Sequence, residues 1–127
     1  MITFDTFHPI DGVPIYQQIL LFIKRGAVAG TIRDGDELPS RRMLSALLGI
    51  NPNTVQKAFR LLEDENLITS QMGAGSSMTL SEDKIKEVRE ELLTEDIRNI
   101  TASLKQMGIG KEEASRLIER SWEDAEA

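Results

Sequence analysis

In the stretch "NPNTVQKAFR", Asn53, Thr54, Gln56, Lys57 and Arg60 stand within eight positions, directly after Asn51 and Pro52. Their chemistry is recognition by hydrogen bonding and charge. The carboxamides of Asn and Gln match the donor–acceptor edge of adenine, Thr suits a thymine methyl or a phosphate, and Lys and Arg suit guanine or phosphate. A second group, Ser40, Arg41 and Arg42, opens the preceding segment. Free backbone N–H groups and the positive dipole end at a helix start favour phosphate. Nothing in either group pairs a nucleophile with a base. The chain has no cysteine and a single histidine, His8, read as a surface or packing residue.

Such side chains act together only if a helix presents them on one face. Val55, Ala58, Phe59 and Leu62 recur at helical spacing and leave the five polar residues outside the apolar stripe. Asn51 is the N-cap candidate, Pro52 suits the first helical position, and Asn66 is the candidate end, so the spacing predicts a helix over 52–65. Upstream, Ser40 follows Pro39 as an N-cap, and Leu44, Leu47 and Leu48 give a second helix its apolar face. Gly49 can supply the left-handed residue that ends it. Stop, tight turn over Gly49–Asn51 and restart is the signature of a helix-turn-helix, whose second helix enters the DNA major groove.

The flanks change period. Residues 1–12 read as a short leader. Pro14 then opens a helix along which Ile15, Ile19, Phe22 and Ile23 recur, closed near Gly30. A short strand is expected at Glu37-Leu38. Leu67-Ile68-Thr69 and Ser77-Met78-Thr79-Leu80 read as two strands joined by a turn at Gly73-Ala74-Gly75. From Ser81 a long helix carries two apolar series. One is Ile85, Val88 and Leu92, and the other Leu93, Ile97, Ile100, Leu104 and Met107. "GIG" breaks the chain at 108–110, and a last helix carries Ala114, Leu117, Ile118 and Trp122.

The 127 residues suffice for one compact domain and an appendage. No apolar run approaches the roughly 20 residues of a membrane span, and no secretory signal is visible at the N-terminus. Together with the missing cysteines this fits a cytoplasmic protein. The net charge is −6. Residues 1–80 carry 7 basic and 8 acidic side chains, a net of −1, and residues 81–127 carry 8 and 13, a net of −5. The acidity is therefore concentrated away from the helix-turn-helix, and distribution rather than total charge governs nucleic-acid contact.

"PIYQQI", "DGDELPSRRMLSALLGINPNTVQKAFRLLEDENLI" and "GAGSSM", in this order, resemble the winged-helix domain of GntR-type bacterial transcription regulators over about residues 9–80. The short acidic two-helix tail resembles that of the YtrA-type branch, which lacks a large effector-binding domain. The resemblance implies a repressor, often of operons for ABC transporters, dimerised by its tail. It implies that Arg42 meets DNA, that Ser40 caps a helix beside a phosphate, that Thr54 lies in the recognition helix and that Gly73 and Gly75 shape the wing. Pro52 and Gln56 replace arginines common in relatives, although "NPNTV" is usual in the YtrA-type branch. Gln71 and Ala74 occupy wing positions that are often basic. These departures imply a weaker wing contact and salt-sensitive binding.

The expected architecture is mainly α with a small β-hairpin: a winged helix-turn-helix DNA-binding domain at 1–80 and a C-terminal αα-hairpin for dimerisation at 81–127. Leu93, Ile97, Ile100, Leu104 and Met107 form a stripe too long for one short helix to cover. Leu117, Ile118 and Trp122 complete the expected dimer surface. The expected function is a homodimeric regulator, a repressor on a palindromic double-stranded operator, binding without a cofactor or metal and without a membrane. The alternative is a winged-helix module that holds protein instead of DNA, favoured by the acidic balance and the non-basic wing. No small-molecule effector can be named from the sequence.

Overall fold

The computed structural model describes residues 1–72 and 75–126. The elements run α1 (Ile15–Ala29), α2 (Arg41–Leu48), α3 (Pro52–Asp64), β1 (Ile68–Gln71), β2 (Gly75–Met78), α4 (Glu82–Gln106) and α5 (Lys111–Glu126). The chain divides into two compact units, Met1–Arg89 and the residues from Glu90 onward. The division falls inside α4. The first turns of α4 belong to the first unit because Val88 is buried there and Ile85 is half-buried.

Within the first unit α3 is the hub, with α1, α2 and β1 all packed on it. Val55, Ala58, Phe59 and Leu62 of α3 are fully buried, as are Ile19 and Ile23 of α1 and Leu44 of α2. Each large side chain of this kind contributes roughly 1.5–3 kcal/mol relative to exposure. Lys24 of α1 is also buried, its Nζ 2.7 Å from Glu65 Oε1 at the C-cap of α3. The expected strands are present with shifted ends. β1 and β2 pair antiparallel, Ile68 opposite Met78 and Gln71 opposite Gly75. Glu37 makes a bridge to Ser77, and Leu38 N donates to Ser76 O at 3.0 Å. The short segment at 37–38 thus flanks β2 rather than forming a strand of its own. Among the described residues Asn66 is the non-glycine residue with positive φ (60°), one position beyond the C-cap Glu65.

Residues 1–12 are part of the core, not a loose leader. Ile2, Phe4 and Phe7 are buried. Phe4 stacks on Phe22 with ring centroids 4.9 Å apart, and Phe7 meets Phe22 edge-on at 5.4 Å. Offset-stacked and edge-to-face pairs of this kind are the favoured aromatic geometries. Gln18 then clasps the following turn. Its Nε2 donates to Ile10 O and Val13 O, and its Oε1 accepts from Ile10 N.

In the second unit α4 continues to Gln106, and Gly108 (φ +74°) turns the chain into α5. The α4 start is capped by Ser81, whose Oγ accepts from Lys84 N at 3.0 Å.

Candidate nucleic-acid interface

The helix-turn-helix is built by caps. Ser40 Oγ accepts from Met43 N at 3.1 Å and starts α2. Gly49 ends α2 at φ +64°, a left-handed position that a side chain would strain. Ser45 locks the turn. Its Oγ donates to Ile50 O at 2.6 Å, and its carbonyl accepts from Ile50 N at 3.1 Å. Asn51 Oδ1 then accepts from Asn53 N at 2.8 Å, with Pro52 at the first helical position of α3. Three residues outside helix therefore separate two helices, and each terminus has its backbone groups accounted for by a specific side chain or carbonyl.

With its inner face locked in the core, α3 turns Asn53, Gln56, Lys57 and Arg60 outward as exposed side chains, while Thr54 is half-buried. Asn51 is exposed and spent in part on the cap. Arg42, in the first turn of α2, is exposed beside the Ser40 cap. Lys57 Nζ lies 4.0 Å from the centroid of the Tyr16 ring, a cation–π distance. Arg41 differs from its neighbour: its Nη2 is 2.9 Å from Glu63 Oε1 and its Cζ lies 5.0 Å over the Phe59 ring. Of the wing glycines, Gly75 starts β2 at φ +79°, and Gly73 lies outside the described residues.

The arrangement is an outward polar helix face with two free-standing arginines at its borders and a short hairpin beside it. Among the described residues no three of His, Cys, Asp and Glu are grouped to hold a metal, and no helix is long and apolar enough to cross a membrane. Residues 15–77 match the family model described as "Bacterial regulatory proteins, gntR family". The chain is 38% identical over 90 residues to the HTH-type transcriptional repressor YtrA of Bacillus subtilis, spanning 66% of this chain and 69% of that relative.

The chain belongs to the GntR family.

Two solved structures extend the likeness over nearly the whole chain. A GntR family transcriptional regulator from Listeria monocytogenes superposes with a TM-score of 0.79 at 30% identity, covering 88% of this chain and 98% of that one. YtrA from Sulfolobus acidocaldarius, a GntR-family transcription factor, superposes at 0.51 with 28% identity, covering 99% and 100%. This GntR-family chain is thus a winged-helix transcription regulator of the short YtrA type, and not an enzyme.

Three partners of the interface had no signal in the sequence of this GntR regulator. Tyr16 lies on α1, far from Lys57 in sequence. Glu63 reads as one more charged residue on α3, and Ser70 as one more strand residue. Their roles come from contacts between elements, for which neither spacing nor period carries a sign.

In the tail, Leu93, Ile97, Ile100 and Met107 are 44–65% exposed, and Leu104 is half-buried. Leu117, Ile118 and Trp122 of α5 are 42%, 43% and 70% exposed. Between α4 and α5 runs an open apolar groove lined by Ile97, Ile100, Leu104, Ala114 and Ile118, with Trp122 further along. The two helices of the tail therefore leave most of their apolar surface uncovered within the chain.

Proposed function

We propose that the protein is a homodimeric repressor that binds a roughly palindromic double-stranded DNA operator through two copies of α3. One observation carries this reading. α3 has its apolar face fully buried and Asn53, Gln56, Lys57 and Arg60 exposed on the other side, immediately after a tight, fully capped turn. A helix so held can enter a major groove and bring amide and cationic side chains to base edges. Arg42 and the Ser40-capped start of α2 serve the phosphate backbone. Residues 1–80 are the DNA-binding domain and 81–127 the dimerisation tail.

The tail supports the dimer through its uncovered apolar surface. A contiguous exposed apolar face of this kind marks an interaction site. A second copy presents the same face, and two-fold pairing of two helical hairpins buries both. The two recognition helices then read half-sites about 34 Å apart, or a multiple of it. The acidity concentrated in the tail keeps that part away from phosphate. The target operon encodes a transporter, as the YtrA-type resemblance implies, and the protein works in the cytoplasm.

The test is fluorescence anisotropy of the full-length protein on the DNA upstream of its own coding region, against random DNA of equal length, with light scattering for mass. Tighter binding to the upstream DNA by a dimer is expected. Equal binding to both DNAs refutes sequence-specific recognition, and a monomer refutes the role given to the tail.

A further inference from the structure

Arg41 stands next to Arg42 at the start of α2 and has the charge of a phosphate ligand. Its guanidinium is already committed inside the protein. Nη2 lies 2.9 Å from Glu63 Oε1, Cζ lies 5.0 Å over the ring of the buried Phe59, and Nε is buried with no hydrogen-bond partner among the described residues. The planar fork of arginine suits this double duty of stacking on an aromatic ring and pairing with a carboxylate.

Glu63 passes the contact on. The same oxygen, Oε1, accepts from Ser70 Oγ of β1 at 2.7 Å, and Ser70 Oγ lies 2.8 Å from Ser76 Oγ across the hairpin. Four side chains thus join the start of α2, the last turn of α3 and both strands of the wing. The hairpin has reason to need them. Two strands of four residues are marginal alone in water, and β2 is otherwise tied by its backbone to 36–38, through Leu38 N to Ser76 O and Met78 N to Asp36 O. On the side of β1, the polar tie to α3 is Ser70 to Glu63. Arg41 holds that carboxylate in place and offsets its charge beside a surface meant for phosphate.

We infer that Arg41 is a positioning residue, which through Glu63 and Ser70 fixes the wing against the recognition helix and does not itself contact DNA. The wing-holding role stands on the free protein; its consequence for operator affinity rests on the DNA-binding reading above.

The experiment is amide hydrogen exchange by NMR on the full-length free protein and its Arg41→Ala and Glu63→Gln variants, followed by DNA titrations at several salt concentrations. Arg41→Ala is expected to speed exchange about tenfold or more in Ile68–Gln71 and Ser76–Met78, with core amides of α1 and α3 unchanged. Glu63→Gln should affect the same amides, and the double variant should be no worse than Arg41→Ala, because the two residues act through one contact. On DNA, Arg41→Ala is expected to lower affinity several-fold while leaving the slope of log affinity on log salt unchanged. A lost phosphate contact would instead reduce that slope by about 0.9. Unchanged hairpin exchange overturns the inference, as does exchange raised evenly over α1 and α3, which is general destabilisation. A reduced salt slope makes Arg41 a DNA ligand. If the parent protein binds no DNA, the functional reading fails, and the exchange data alone decide whether Arg41 holds the wing.

Discussion

Lys57 of α3 is held from α1: its ammonium sits 4.0 Å from the centre of the Tyr16 ring. A free surface lysine spreads over many rotamers, and ordering it costs up to about 2 kcal/mol. An exposed cation–π contact returns about 0.5–1 kcal/mol of that and narrows the positions the charge visits. Lys57→Ala is expected to weaken specific and random DNA alike and to lower the salt slope by about 0.9. Tyr16→Leu should weaken binding by about 0.5–1 kcal/mol and have little further effect once Lys57 is gone. Titrations of the four proteins at several salt concentrations decide this. Additive losses would mean that Tyr16 acts independently of Lys57.

Arg42 makes the opposite case to Arg41, being exposed in the first turn of α2. Arg42→Ala should cost about 1–3 kcal/mol of operator affinity with an unchanged thermal melt, since the residue contributes nothing to the core. Undiminished operator affinity in a folded variant would remove Arg42 from the interface.

Gln56 is exposed one turn into α3 and carries an amide, which reads an edge pattern rather than a charge. Replacing Gln56 by Arg is expected to change the preferred base at one symmetric pair of operator positions, by about 1–3 kcal/mol per half-site. Selection from a randomised operator library measures this directly. A preference identical to that of the parent protein at every position would exclude Gln56 from base reading.

Ile97 and Ile100 test the tail. Both are exposed within one chain, at 59% and 44%. Ile97→Asp with Ile100→Asp should therefore leave the melting of the winged domain nearly unchanged, yet give a monomer by light scattering. The monomer should lose the affinity gained by linking two half-sites, which commonly amounts to 10²-fold or more. A double variant that remains dimeric would place the interface elsewhere.

Lys24 and Glu65 brace the hub helix, and this can be read as stability. Lys24 is 4% exposed and bridges at 2.7 Å to Glu65, whose side chain is 36% exposed. Because Glu65 is partly solvated, Lys24→Ala is expected to cost about 1–2 kcal/mol, less than the 3–5 kcal/mol of breaking a fully buried pair. Chemical denaturation monitored by circular dichroism checks it. A loss under about 0.3 kcal/mol would show that the pair is neutral, as many partly exposed pairs are.

What the sequence determined by itself is what depends on neighbours along the chain. Ser40, Asn51 with Pro52, Ser81 and Gly49 each act within a turn of helix, so the ends of α2 and α3 and the start of α4 were legible from residue type and spacing. The apolar stripe of Val55, Ala58, Phe59 and Leu62 likewise announced which face of α3 would be buried and which would carry Asn53, Gln56, Lys57 and Arg60. The tertiary structure alone decided how side chains from separate elements meet. Ile2, Phe4 and Phe7 looked like a leader because the segment is too short for its period to be read, and their burial depends on Phe22 of α1. Arg41 and Arg42 are the same residue type at adjacent positions, yet consecutive helix positions point about 100° apart. One therefore falls against Phe59 and Glu63 and the other into solvent. That difference is set by where α3 and β1 lie in space, and no local pattern in the chain encodes it.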